Sequence, residues 1–209
     1  MKLTWSKNPI EKASAIWVLE KHFRENPNEL ERFETEKASK EVRRAVAALY
    51  LSSKLKLKLY TYANDPDEEV RDYVFESFYE GTMFGEHIIV SDIRKLSRSK
   101  VAVDKESLGI RLSNEVLIIP KKDIAEVSVT TDSKDTYGVY LVIQNGRNVT
   151  EQILLVPTRL FLGSGKYIVD NLRENLAVGS KPAYKEMDNT LDELWSKVTS
   201  SIQAVVKKP

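Results

Sequence analysis

Apolar positions recur at helical spacing from about residue 8 to residue 80, and change to alternation from about residue 87. Asn8-Pro9-Ile10-Glu11 reads as a helix start, with Asn8 as cap, Pro9 at the first helical position and an acid in the first turn. Ile10, Ala13 and Trp17 share one face, with Ile16, Leu19 and Phe23 beside it, and Asn26-Pro27-Asn28 ends the run. A second helix is expected from about Glu29 into the fifties, through Phe33, Ala38, Val42, Ala45, Val46 and Leu49. Lys54-Leu55-Lys56-Leu57-Lys58-Leu59 fits a strand by alternation and a helix by its Leu51, Leu55 and Leu59 spacing. No turn residue interrupts Ser39 to Tyr62, so the pattern predicts a continuing helix. Asn64-Asp65-Pro66-Asp67-Glu68-Glu69 then starts another, with Asp65 as cap and acids against the helix dipole. Val70, Val74 and Phe78 form its buried stripe, and Gly81 is its stop.

The second half reads as short strands. Ile88-Ile89-Val90 and Val101-Ala102-Val103 come first, and Leu108–Leu112 and Val116–Ile119 flank Ser113-Asn114-Glu115. Runs from Ile124 to Thr131, Val139 to Gln144 and Val149 to Val156 follow. Asn145-Gly146 is a hairpin signal, because both residues tolerate the positive φ of a type I′ turn. Hairpin-spaced short strands predict an antiparallel sheet that curls on itself.

A helix closes this region, with Tyr167, Ile168, Leu172 and Leu176 on one face and Gly179 after it. Thr190-Leu191-Asp192-Glu193 is a capping box for a last helix, whose Leu191, Trp195, Val198, Ile202 and Val205 form a two-heptad apolar stripe. That stripe fits packing against its own domain or a homodimer seam, and its length leaves both open. The fold class is therefore α+β: an N-terminal helical bundle over residues 1–84, an antiparallel β domain over 85–180, and a linker with an amphipathic helix over 181–209.

Composition narrows the chemistry. The 209 residues contain no cysteine, which excludes disulfides, thiolate metal sites and cysteine nucleophiles. The first residues lack an apolar signal-like stretch, and no apolar run approaches the roughly 18 residues of a spanning helix, so a cytoplasmic location without membrane insertion is expected. Thirty-two basic and 31 acidic residues nearly cancel, so a globally basic nucleic-acid binder is not indicated. Abundant Lys and Glu with scarce Gln suggest a thermophile's usage.

Catalytic signals are absent from the pattern. Gly163-Ser164-Gly165-Lys166 lacks the first glycine and the hydroxyl residue of a phosphate loop, since Leu160 and Tyr167 stand there. His22 and His87 are the two histidines, and neither sits at metal-ligand spacing. No catalytic residue, cofactor or metal is assigned, and a non-enzymatic role is expected. The densest basic cluster is Lys54, Lys56 and Lys58, with Arg43 and Arg44 upstream. On one helical surface these five would meet phosphates, with structured RNA as the partner.

Three resemblances add expectations. Asp65-Pro66-Asp67-Glu68-Glu69-Val70-Arg71 resembles the opening of a HEAT repeat, with Lys40–Val46 as an echo. Two copies fall short of the three or more a solenoid needs, which favours a small bundle. Leu112-Ser113-Asn114-Glu115-Val116-Leu117-Ile118-Ile119-Pro120-Lys121-Lys122-Asp123-Ile124 resembles a pleckstrin-homology-like (PH-like, GRAM-like) domain over residues 85–178, and also the PH-like segment of an archaeal chemotaxis adaptor family. The resemblance implies binding of lipids, peptides or proteins, and an adaptor joining signalling proteins. In size, composition and layout the whole chain is similar to archaeal ribosome-dimerisation factors. That likeness implies a homodimer regulating translation by contact with ribosomal RNA and ribosomal proteins, with Arg43, Arg44, Lys54, Lys56 and Lys58 as the contact and the Leu191–Val205 stripe as the seam.

Overall fold

The computed structural model describes residues 6–33, 38–91, 97–131, 137–145, 149–157 and 174–176. They fall into two compact units: one made of residues 1–80 with Asn114–Ile118, the other of residues 81–113 and 119–209.

In the helical unit, α1 (Pro9–Val18) starts as its sequence requires: the Asn8 side chain accepts from the Ile10 N–H at 3.0 Å, and proline lies in the first turn. A turn at Leu19 separates α1 from α2 (Glu20–Glu25), and a 3-10 segment follows at Pro27–Phe33. α3 (Lys40–Ser52) is capped by Ser39 and buries Val42, Ala45, Val46 and Leu49, the i, i+3, i+4, i+7 stripe of one face. Phe23 stacks edge-on against Phe33, and the Arg32 guanidinium lies over the Phe33 ring at 4.9 Å.

The expected continuous helix through Tyr62 is broken. Lys54 adopts φ 58, its N–H donates to the Leu51 carbonyl, and the Leu55 N–H donates to the Tyr50 carbonyl. This pair of bonds is a Schellman ending, with a lysine where glycine is usual. A short α4 (Lys56–Leu59) and a 3-10 turn (Tyr60–Tyr62) carry the chain onward, so the Lys54–Leu59 alternation is neither a strand nor one long helix.

α5 (Glu68–Glu76) is capped by Asp67, not Asp65: the Asp67 side chain accepts from the Val70 N–H. Asp65 instead takes two bonds from Arg43 and one from the Asp67 N–H. Its carboxylate turns inward because a cation from α3 is there to meet it. Val70, Val74 and Phe78 are buried as the stripe predicts, and Phe75, outside the stripe, is buried as well. Val116 also belongs here, its N–H donating to the Ala63 carbonyl at 2.8 Å.

The sheet holds seven strands among the described residues: β1 (Thr82–Ser91), β2 (Ser97–Val103), β3 (Ser107–Arg111), β4 (Val116–Pro120), β5 (Ile124–Thr131), β6 (Tyr137–Asn145) and β7 (Val149–Pro157). Their order is β4-β3-β2-β1-β7-β6-β5. The β1–β2, β2–β3, β1–β7, β6–β7 and β5–β6 pairs are antiparallel. Register shifts at Met83/Gly85 in β1 and Ile124/Glu126 in β5 bend their strands and curl the sheet. Gly85 supplies φ 78 at the first of these.

Gly81 does not stop α5, which ends at Glu76 with Ser77 as its C-cap. Its missing side chain serves β2 instead: a Cβ there would lie 2.1 Å from the Val103 carbonyl oxygen. The β6–β7 register pairs Asn145 with Val149, leaving three residues between them where the Asn-Gly signal predicts a two-residue turn. Leu176 is helical and buried. The rest of the closing helix, Gly163–Lys166 and the 181–209 segment lie outside the described residues.

Candidate docking face and its charge network

α1 is apolar on two sides. One side buries Ala13, Ala15 and Ile16. The other leaves Ile10 64 %, Trp17 46 % and Val18 83 % exposed, with exposed Ser14 between them. The spacing put Ile10, Ala13 and Trp17 on one face, yet of the three only Ala13 is buried: the run Ala15-Ile16-Trp17-Val18-Leu19 carries apolar residues round the whole helix, and the bundle covers only part of it. The outward side gathers Ile10, Trp17 and Val18 beside exposed Glu11 and Ser14, and clustered large apolar side chains on an outward face mark a contact surface. Elsewhere among the described residues of the helical unit, the exposed large hydrophobics are Leu57 and Tyr79.

The five predicted basic residues are placed as follows. Arg43 grips Asp65 through Nε at 2.7 Å and Nη2 at 3.1 Å, and donates Nη1 to the Ala38 carbonyl. Arg44 grips Asp67 at 2.9 Å through two nitrogens and reaches Glu69 through Nη1 at 2.5 Å. These clamps lock α3 to the entry of α5. The guanidiniums are held above their usual pKa by the carboxylates bonded to them, and the Arg44 bond holds the Asp67 carboxyl below its own. Lys54 pairs with Glu80 at 2.8 Å and Lys58 with Glu31 at 2.6 Å. Lys54 and Lys56 line a pocket of about 100 Å³ with Tyr50, Leu59, Glu76 and Glu80. Burial, reinforced by Asp72, pushes the Glu76 carboxyl up. The sequence thus located the basic residues, but it did not show the acids that neutralise them. The predicted seam residues Leu191, Trp195, Val198, Ile202 and Val205 lie outside the described residues.

In the sheet unit, His87 on β1 is buried. Its Nδ1 lies 3.3 Å from the Gly85 carbonyl oxygen, which only accepts, so the proton sits on Nδ1. Nε2 has no hydrogen-bond partner among the described residues. Burial pushes the imidazole pKa down to about 4 against the smaller upward pull of the Gly85 bond. His22, in the helical unit, meets Glu29 at 3.2 Å. Among the described residues no group of three or more ligating side chains is arranged to hold a metal, and no helix is long and apolar enough to cross a membrane.

No family model matches the chain, and no curated protein matches it. Among solved structures it is similar to the DH/PH domains of PDZ-RhoGEF, in a complex with GTP-γ-S-activated RhoA. That likeness has 12 % identity and a TM-score of 0.34, covering 80 % of this chain and 54 % of that one. It is also similar to the DH/PH domains of a p115-RhoGEF variant, at 12 % identity and a TM-score of 0.33, covering 83 % of this chain and 57 % of that one. The chain spans just over half the length of either, and a likeness this slight carries no argument about partners. What the chain shows by itself is an antiparallel sheet, in the order β4-β3-β2-β1-β7-β6-β5, with register shifts in β1 and β5.

Proposed function

We propose that the chain is a non-catalytic adaptor that attaches through the outward face of α1 and presents its PH-like unit to protein partners. The observation that carries this reading is the exposure of Ile10, Trp17 and Val18 on a helix whose other side is already buried. A ribosome-dimerising factor is the other reading of the same layout. It requires Arg43, Arg44, Lys54, Lys56 and Lys58 to grip RNA, yet four of them hold carboxylates that a phosphate would have to displace.

Fractionation of host lysate, with and without nuclease, tests the proposal. Wild-type protein should leave the free pool for a nuclease-resistant fraction, and Ile10→Asp/Val18→Asp should return it to the free pool. Association lost on nuclease treatment and unaffected by the α1 variant would favour the ribosomal reading. Wild-type protein running free under every condition would defeat both.

A further inference from the structure

The pocket of the helical unit is lined by four charged side chains, Lys54, Lys56, Glu76 and Glu80, and their charges are not matched one to one. Lys54 donates to Glu80 at 2.8 Å, and Lys56 adds to the pull that holds the Glu80 carboxyl below its usual pKa. Neither lysine does the same for Glu76. Its carboxyl is pushed up by burial and then by Asp72, and no cation offsets either effect. The Glu76 side chain has no hydrogen bond or ion pair among the described residues.

Glu76 is unfavourably placed in two further ways. It is the last residue of α5, whose final turn has no basic residue, so its carboxylate lies at the negative end of the helix dipole. Asp72 precedes it by four residues, which sets two acids on one helix face. Lys54, on the same pocket, holds left-handed backbone at φ 58. Two departures from a stable sequence thus meet at one pocket, and such departures collect where a chain binds something. The lining then selects the occupant. An anion would have to enter beside Glu76 and Glu80 and take Lys54 from its carboxylate. A bare metal ion would lack ligands, since no group of three or more ligating side chains is arranged for one among the described residues. A cation on an aliphatic stem both neutralises Glu76 and lies against Tyr50, Leu51 and Leu59, the apolar part of the lining.

We infer that the pocket binds an ammonium or guanidinium group carried on an aliphatic stem, with Glu76 as its counter-ion. The stem belongs to a free amine or to a basic side chain of a protein, and the test separates the two. The site is independent of the α1 face, so its failure leaves the attachment reading untouched.

NMR titration of the full chain at physiological salt is the test, with putrescine as the free amine, Nα-acetyl-lysine methylamide as the side-chain form and Nα-acetyl-norleucine methylamide as the neutral control. At least one cation should give saturable shifts at the lining residues, the neutral compound none, and the Glu76 carboxyl pKa should fall on saturation. Tighter binding of putrescine assigns a free amine, and tighter binding of the lysine derivative assigns a protein side chain. Glu76→Gln should weaken binding about ten-fold or more, the loss of one charge-assisted hydrogen bond. It should also melt no lower than the wild type, because it removes a disfavoured charge and keeps the shape. Shifts that do not saturate, or equal binding by Glu76→Gln, would overturn the inference. So would a lower melting temperature of Glu76→Gln, since the carboxylate would then serve the fold, and so would inorganic phosphate moving the same signals.

Discussion

Acidification should destabilise the sheet unit through one side chain, His87. His87 is buried on β1, its Nδ1–H committed to Gly85 and its Nε2 unpartnered among the described residues. Protonating Nε2 would bury a charged donor with nothing among the described residues to accept from it. The folded pKa is lowered from 6.5 to about 4. Between those values the unfolded chain binds the proton and the folded chain does not, so stability rises with pH across that window. The contribution is fully present above 6.5, is lost as pH falls towards 4, and levels off below the folded pKa. At roughly 1.4 kcal/mol per unit, the span is worth about 3 kcal/mol, of which about 2 kcal/mol is lost between pH 7 and pH 5. Urea unfolding of the wild type and of His87→Gln at both pH values isolates this term, because other titrations cancel in the difference. The wild type should lose about 2 kcal/mol more than the variant. Should His87→Gln fold poorly, NMR titration of the wild-type imidazole gives the same answer directly. Equal pH dependence of the two proteins, or a His87 resonance titrating near the value of free histidine, would refute the reasoning.

Three further outcomes follow from packing and caps. Lys54→Gly should stabilise the helical unit by about 1 kcal/mol in urea unfolding, because it relieves a left-handed lysine and gives up only the exposed Glu80 pair. Gly81→Ala should destabilise the sheet unit by about 3 kcal/mol or more in a thermal melt, since backbone rather than a movable side chain stands 2.1 Å from the new carbon. Arg43→Ala strands the nearly buried Asp65 carboxylate and should cost about 3 kcal/mol, whereas adding Asp65→Ala should recover part of that loss in a double-mutant cycle.

The strands were the most legible part of the chain. The run Ile124–Thr131 is rich in β-branched residues and bounded by turn residues, and the sheet uses it at those limits as β5. β1 was legible only from Ile88, because the register shift at Met83/Gly85 breaks alternation in its first half. In the helical unit, a local signal failed wherever a distant residue decided the outcome. Asp65 and Asp67 are equally good caps in sequence, and Arg43, 22 residues before Asp65, takes one and leaves the other to cap. Lys54 ends α3 in a conformation that lysine does not advertise. The docking face was missed because period alone cannot separate two apolar sides of one helix. A full wheel of residues 10–18 puts Ile10 and Val18 well round from Ile16, with Trp17 between them, and only tertiary structure shows which side the bundle takes. The basic cluster was found but not its counterions, since Glu31 and Glu80 lie far from Lys58 and Lys54 in sequence.

Carbene footprinting of residues 10–18 tests the central claim most directly, with the purified chain compared against the chain in host lysate that retains its membranes. Ile10, Trp17 and Val18 should label heavily in the purified protein and be protected in the lysate, while exposed Leu57 keeps its labelling. Equal labelling of the α1 face in both conditions would contradict the account.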